Sequence, residues 1–171
     1  MGDHSAGGFA AWDGAALEQF YELAASAPDS VGLFNDDGGI LDLSVAPDGT
    51  VWLLQFFSGG LIRYDPATGA VDHINSDNSP LVSNRLLRIV HHPDGAVLLL
   101  GDRDGVSVLV DPDRWRDPAA WIQLSTDGDA LGGMEVQDAW VEDRDRIWFA
   151  VNPAGIVLLS LIHISEPRDP E

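Results

Sequence analysis

Two adjacent histidines, His91 and His92, are the side chains in this sequence best suited to metal binding or acid–base chemistry. They follow an apolar run that is typical of a strand. Neighbouring residues of a strand point to opposite faces of its sheet, so one metal ion cannot readily bind both rings. The pair therefore predicts a solvated strand end, and the sequence predicts neither a metal site nor a cofactor.

Two acidic segments also carry atoms that could bind a cation. Residues 102–105, Asp-Arg-Asp-Gly, match part of a calcium loop but lack its third acidic position and distal glutamate, which favours a simple turn. Asp111, Asp113 and Asp117 flank Trp115. These residues could contact a cation or a sugar, and the alternative is a solvated turn that is rich in aspartate. Nothing in the chain matches a nucleophile elbow, a phosphate loop or a zinc-binding helix, and no catalytic residue is predicted.

Six tryptophans provide the largest apolar side chains. Trp52 and Trp148 occupy equivalent positions in two similar strands, which predicts that both lie in the core. Trp115 and Trp121 border an inserted segment, residues 113–120, and are expected to be freer to contact a partner.

The composition narrows the class of partner. The 171 residues include 28 acidic and 9 basic ones, for a net charge of −19. Nucleic acid is disfavoured, because phosphate binding needs a basic surface. The acidity fits either attraction of a cationic partner or turn formation and solubility, since aspartate favours turns. Cysteine is absent, and no apolar run approaches the roughly 18 residues that span a bilayer.

Glycine anchors recur along the chain and set the expected architecture. Gly8, Gly60, Gly105 and Gly155 are separated by 52, 45 and 50 residues. Around them recur short apolar segments joined by turns such as Pro47-Asp48-Gly49. A repeat of this length with four strands per unit is typical of a β-propeller blade.

The second strand of each unit is apolar on nearly every position, which favours sheets covered on both faces. A sandwich strand normally alternates, so a β-sandwich is the alternative. The expected fold is an all-β propeller fragment of antiparallel four-stranded blades, about three blade-equivalents. Residues 15–26 could instead form a short helix, because their apolar residues also fit helical spacing. The expected boundaries are a partial blade at 1–21, blades at 39–74 and 86–124, and a partial blade at 136–158.

The unit at 39–87 resembles the two-component regulator propeller repeat. It carries Asp48-Gly49-Thr50-Val51-Trp52, Gly59-Gly60-Leu61 and Arg63-Tyr64-Asp65-Pro66, with Thr68-Gly69 beyond. The later copies depart from this pattern at Leu98, which replaces the tryptophan, and at Asp145-Arg146, which replaces Asp-Gly. The resemblance implies a sensory propeller, often extracytoplasmic in the parent protein and attached to a signalling module.

The C-terminal residues 159–171 resemble a different kind of sequence. Leu-Ser-Leu-Ile-His-Ile-Ser-Glu-Pro is similar to a translated sequencing adapter, which predicts a non-native tail and a metagenomic fragment. The same residues could also continue the preceding strand.

The expected function is a non-catalytic sensory module that binds a small molecule, a carbohydrate or a protein. The alternative is a fragment of a streptogramin-lyase-like or hydrolase-type propeller enzyme, whose channel-facing histidine or glutamate would lie in other blades. Closed propellers usually bind ligands on the loops after the second strands and on the linkers between blades. By position, this predicts a site that includes Phe57, Ser58, Asn84, Arg103, Met134 and Asn152.

Overall fold

The structure, a computed structural model, describes residues 10–12, 14–19, 39–55, 59–102, 104–124, 131 and 135–160. It is all-β, with two single-turn 3₁₀ helices, and confirms the predicted fold class. The strands are β1 (Ala10–Trp12), β2 (Leu17–Gln19), β3 (Ile40–Val45), β4 (Val51–Gln55), β5 (Leu61–Asp65), β6 (Ala70–Ile74), β7 (Leu86–His91), β8 (Val97–Gly101), β9 (Val106–Leu109), β10 (Trp121–Leu124), β11 (Glu135–Val141), β12 (Arg146–Asn152) and β13 (Gly155–Ser160).

These strands form four antiparallel sheets, each a meander of consecutive strands. The first sheet pairs β1 with β2, the second runs β3-β4-β5-β6, the third β7-β8-β9-β10 and the fourth β11-β12-β13. Leu17–Gln19 is a strand paired with β1, so the helical alternative is wrong for these residues, and residues 20–26 lie outside those described. Leu159 and Ser160 belong to β13, whereas 161–171 lie outside the described residues.

The turns between the first two strands of the second, third and fourth sheets depend on aspartate. Asp48 Oδ1 accepts from the backbone N–H of Thr50 at 2.9 Å, and Asp94 Oδ1 accepts from Ala96 at 3.0 Å. In the fourth sheet, Asp143 accepts from the N–H of Asp145 at 2.9 Å. A carboxylate that closes a turn on the backbone two residues later is a standard turn device, so these three aspartates serve chain reversal.

The recurring glycines have a common backbone conformation. Gly60, Gly105 and Gly155 have φ values of 78°, 80° and 91°, which residues with a Cβ rarely adopt. At Gly60 a Cβ would also lie 2.6 Å from the carbonyl oxygen of Ile74. The sequence repeat therefore marks a conformational requirement, whereas Gly8 lies outside the described residues.

The core lies between successive sheets. We call front the face that the second sheet directs at the third and the third at the fourth, together with the equivalent face of the fourth sheet, and rear the opposite face of each. The front of the second sheet packs on the rear of the third, and this cluster includes Trp52, Leu54, Leu61, Ile89, Val97 and Leu99. The front of the third sheet packs on the rear of the fourth, and this cluster includes Leu98, Leu100, Val106, Val108, Ile147 and Phe149. Blades stacked in this way require strands that are apolar on both faces, as β4 and β8 are.

The fourth sheet departs from the expected burial. Its β12 alternates between exposed and buried residues, and Trp148 is 36% exposed although its counterpart Trp52 is 1% exposed. The prediction that Trp148 lies in the core was therefore wrong, because no described residues cover the front of this sheet.

Strand β3 shows a second departure. Its apolar residues Leu41, Leu43 and Val45 are exposed, while Asp42 and Ser44 are half-buried towards the third sheet. Asp42 Oδ2 accepts from the backbone N–H of Ile89 at 3.0 Å, so hydrogen bonding between sheets overrides the apolar alternation.

The inserted segment between β9 and β10 is folded into two 3₁₀ helices, Pro112–Arg114 and Pro118–Ala120. Trp115 and Trp121 are 3% and 7% exposed, and the indole N–H of Trp121 donates to the Trp115 carbonyl oxygen at 2.7 Å. The expectation that these two tryptophans are free to contact a partner was therefore wrong. Among the described residues, no helix is long and apolar enough to cross a bilayer.

Candidate binding faces

The sheets place their connections at two opposite ends. We call one end the linker face; it comprises the C-terminal ends of β4, β8 and β12 and the 75–85 linker. We call the other the turn face; it comprises the turns at 46–50, 92–96 and 142–146 and the insertion at 110–120. In an antiparallel meander alternate connections share an end, so Asn84 and Asn152, the predicted site residues that the structure describes, both belong to the linker face.

The linker from 75 to 85 is held by its own side chains. Asn75 Oδ1 accepts from the N–H of Asp77 at 2.9 Å, and Asn78 Nδ2 donates to the carbonyl oxygen of His73 at 2.8 Å. Asn84 Oδ1 accepts from the N–H of Ser76 at 2.8 Å, which ties the two ends of the linker together. Leu81 is 3% exposed within the core between the second and third sheets. The linker is therefore a fixed element of this face.

The same linker is attached to the third sheet by backbone and side-chain contacts. Asp102 N–H donates to the carbonyl oxygen of Arg85 at 2.9 Å, and the Arg85 guanidinium pairs with the Asp102 carboxylate. Gln123 Nε2 donates to the carbonyl oxygen of Pro80 at 3.0 Å. The Arg85 side chain remains 68% exposed, so it presents a cationic group to solvent from an anchored backbone.

Two of the six predicted site residues are described. Asn84 lies in the linker, where its Oδ1 is used within the loop, and Asn152 is exposed at the end of β12, before a cis peptide bond to Pro153. Phe57, Ser58, Arg103 and Met134 lie outside the described residues. Sequence reasoning missed Arg85, although a cation beside Asn84 in a polar linker is a visible signal.

The turn face contains a cavity of about 250 Å³ between the second and third sheets. It lies between two Pro-Asp-Gly turns, with Asp48 on one side and Asp94 on the other, and is otherwise largely apolar. The pKa of Asp48 is lowered mainly by the hydrogen bond from the Thr50 N–H. Burial raises the pKa of Asp94, but bonds from Ala96 and His92 outweigh it, so the net pKa is also lowered. Both carboxylates therefore carry negative charge at neutral pH.

Arg63 links the two sheets beside this cavity. Its guanidinium donates to the Pro112 carbonyl oxygen at 3.2 Å and to Asp113 at 2.7 Å, and lies 5.6 Å from the centre of the Trp52 ring. The Trp52 indole N–H donates to Thr50 Oγ1 at 2.9 Å, and that hydroxyl donates to Asp48 at 2.8 Å. These contacts show that the cluster holds the second and third sheets together.

The two histidines occupy opposite faces of the third sheet, as predicted. His91 faces the second sheet, where its ring lies 6.2 Å from that of Trp52, and burial lowers its pKa against the opposing charge of Asp48. His92 faces the fourth sheet, and its Nε2 lies 3.0 Å from the Arg144 carbonyl oxygen. The expectation of a solvated pair was wrong, because His92 is 1% exposed beneath the turn of the fourth sheet and His91 is half-buried.

Neither His91 nor His92 is hydrogen-bonded to a hydroxyl group in the part of the chain that the structure describes. The Thr50 hydroxyl donates to a carboxylate, and His91 Nε2 has no hydrogen-bond partner there. The Thr50 hydroxyl also accepts from the Trp52 indole N–H, so both of its hydrogen bonds belong to the cluster that joins the second and third sheets. Among the described residues, no group of three or more acidic or histidine side chains is placed to hold a metal ion.

Comparisons with known proteins identify the fold. No protein-family model matches the sequence, and no curated protein does. The extracellular domain of BT4673 from B. thetaiotaomicron, described as a hybrid two-component system, superposes with a TM-score of 0.57 at 16% identity over 77% of this chain and 16% of its own. YCF48 bound to D1 peptide superposes with a TM-score of 0.58 at 16% identity over 95% of this chain and 47% of its own.

The chain therefore spans less than half the length of either protein. At this identity the likeness concerns the fold, and it agrees with the front-to-rear stacking of antiparallel sheets. The β-sandwich alternative is set aside. The chain consists of β-propeller blades, the fold that it shares with these two proteins.

Proposed function

We propose that this chain is part of a non-catalytic binding propeller of the sensory, two-component regulator type, and that the linker face receives the partner. The observation that carries the proposal is the anchored linker, whose side-chain bonds and buried Leu81 fix Arg85 beside the third sheet. A site that is ordered before binding loses less conformational entropy when a partner docks.

A peptide or protein is the favoured partner. Support comes from YCF48, which shares the fold and is bound to a peptide. A small molecule or carbohydrate remains the alternative ligand, and the predicted site residues Phe57, Ser58, Arg103 and Met134 remain part of the proposal. The likeness to extracellular sensor domains supports an extracytoplasmic parent protein that carries a signalling module.

Binding of fluorescently labelled peptides tests the proposal. The chain is titrated against basic, neutral and acidic peptides, and the variants Arg85→Ala and Arg103→Ala are compared with Arg144→Ala. Arg144 is an exposed arginine on the turn face and serves as the matched control. Loss of one charge-assisted hydrogen bond, worth about 1.5–3 kcal/mol, raises Kd about tenfold or more.

The expected result is weaker binding for the two linker-face variants and unchanged binding for Arg144→Ala. The proposal is rejected if every peptide binds the three variants as it binds the parent chain. It is also rejected if only the turn-face variant loses affinity.

A further inference from the structure

Five aspartates close turns of this chain with one and the same geometry. In each, Oδ1 accepts from the backbone N–H two residues later, at 2.8–3.0 Å; the five are Asp48, Asp65, Asp94, Asp117 and Asp143. This bond uses one carboxylate oxygen and leaves the other, Oδ2, able to accept a further hydrogen bond. The five residues therefore differ in what occupies Oδ2.

In three of these turns the chain itself supplies a donor to Oδ2. The pairs are Asp143 with Arg146 Nε at 2.9 Å, Asp117 with the Arg114 guanidinium, and Asp65 with the Thr68 hydroxyl at 2.6 Å. Two of the three donors are guanidinium groups, which form charge-assisted hydrogen bonds with a carboxylate. A turn-closing aspartate of this chain is thus a proven acceptor for arginine.

Asp48 and Asp94 are the two members of this group whose Oδ2 receives no such donor. Asp48 Oδ1 accepts both bonds from Thr50, at 2.9 Å from the N–H and 2.8 Å from the hydroxyl. Asp94 Oδ1 accepts the Ala96 N–H and lies 2.5 Å from His92 Nδ1. No other described residue donates to Oδ2 of either carboxylate. Both side chains line the turn-face cavity, so this cavity has two anionic oxygens available to a ligand.

The cavity has the size and lining that suit a single arginine side chain. Its volume of about 250 Å³ lies below the roughly 300–1,000 Å³ of pockets that enclose a whole drug-sized ligand. Exposed Pro47 and Pro93 border the carboxylates, whereas Trp52 and Val97 are 1% exposed between the sheets. Apolar walls of this kind can pack against a weakly hydrated guanidinium and its methylene stem.

The arginines near the cavity do not provide this cation. Arg63 donates to Asp113 at 2.7 Å, so the carboxylate of Asp113 offsets its charge. Neither Arg63 nor Arg144 is hydrogen-bonded to Asp48 or Asp94. The net charge of −19 adds a long-range attraction for a basic partner.

We propose that the cavity between the Asp48 and Asp94 turns is a second docking site, which takes one arginine side chain of a basic protein partner. The guanidinium donates to Oδ2 of both carboxylates, as Arg146 does to Oδ2 of Asp143. Its planar fork of N–H donors can serve two carboxylates at once, which an ammonium group does less well. The site lies at the opposite end of the sheets from the linker face and does not depend on the function proposed above.

Amide NMR of the 171-residue chain, titrated with the peptide acetyl-Gly-Arg-Gly-amide, tests the proposal. The only charge of this peptide is its arginine. Saturable shifts are expected for the amides of Gly49 and Gly95 and for the Trp52 indole N–H, without shifts at Asn84 and Arg85 on the linker face. The same peptide with citrulline, which keeps the shape and loses the charge, is expected to bind at least about tenfold more weakly.

Asparagine variants test the two carboxylates in turn. Asp48→Asn and Asp94→Asn keep an Oδ1 for the turn and remove the charge of Oδ2, so each is expected to raise the Kd of the arginine peptide at least about tenfold. Asp65→Asn is the matched control, because it makes the same change in a turn whose Oδ2 is already bonded to Thr68. The citrulline comparison uses the unaltered chain and holds even where a variant does not fold.

Three outcomes overturn the proposal. The first is citrulline binding as tight as arginine binding, or equal weakening by all three asparagine variants, which would indicate attraction by net charge alone. The second is the absence of shifts at the cavity; shifts confined to the linker face would leave the function proposed above intact. The third is methylguanidinium binding at least as tightly as the peptide, which would assign the cavity to a free small cation.

Discussion

Replacement of Leu61 and of Ile156 by alanine compares one front-face position with and without a covering sheet. Leu61 is completely buried between the second and third sheets, whereas Ile156 is 74% exposed on the fourth. Truncation of a buried leucine removes its transfer free energy and leaves a cavity, which costs about 3 kcal/mol. Ile156 has about a quarter of its surface buried, so its truncation costs about 0.8 kcal/mol by the same proportion.

Urea unfolding of both variants and the parent chain, followed by circular dichroism and tryptophan fluorescence, gives the free energies of unfolding. For a chain of this size, each kcal/mol lost from the free energy of unfolding lowers Tm by about 2–4 °C. In thermal melts, Leu61→Ala is therefore expected to lower Tm by about 6–12 °C and Ile156→Ala by about 2–3 °C. Equal destabilisation by the two substitutions would refute the assignment of covered and uncovered faces.

Three further predictions concern the cluster beside the turn-face cavity. Arg63→Ala removes bonds between sheets and is expected to destabilise by about 2 kcal/mol in urea unfolding, whereas Asp113→Ala costs under about 1 kcal/mol because that carboxylate is 83% exposed. Thr50→Val leaves the buried Trp52 indole N–H without its acceptor and costs about 1–3 kcal/mol, whereas Thr50→Ser keeps the hydroxyl and costs less; the same unfolding assay distinguishes them. Burial lowers the pKa of folded His91, so its protonation favours unfolding, and stability falls as the pH drops below the ordinary value near 6.5 towards the folded pKa. His91→Gln removes this contribution. Measurements of Tm from about pH 8 to about pH 5 are therefore expected to show a smaller fall in the variant than in the parent chain.

Each of these predictions has a contrary outcome. Equal costs for the Arg63 and Asp113 variants would mean that the contacts of Arg63 with the Pro112 carbonyl oxygen and the Trp52 ring add nothing to stability. A Thr50→Ser variant as unstable as the valine one would show that the hydroxyl is not the relevant group. An NMR titration in which the His91 pKa lies above 6.5 in the folded chain would reverse the sign of its pH effect.

Most of the fold could be predicted from the spacing of glycine and aspartate, because these residues are needed where the backbone adopts a particular local conformation. Gly60 needs a positive φ, and Asp48 closes its turn on the backbone two residues later. Both effects act within a few residues, so sequence spacing is enough to detect them.

Contacts between sheets could not be inferred in the same way. Trp115 was expected to be freer to contact a partner because it lies at the inserted segment, yet this segment folds back and buries it. Arg63 looked like an ordinary strand residue, but it reaches Asp113, 50 residues later. His92 is buried by a turn 52 residues away. Such pairs depend on the angle between sheets, which local patterns do not specify.

The order of the sheets is the central claim, and methyl NMR tests it most directly. In the 171-residue chain with labelled methyl groups, we expect cross-peaks between the second and third sheets, as for Leu54 with Leu99, and between the third and fourth. Cross-peaks linking Leu54 or Leu61 with Ile147 of the fourth sheet would place two non-consecutive sheets face to face. That result would contradict a propeller and would indicate a sandwich.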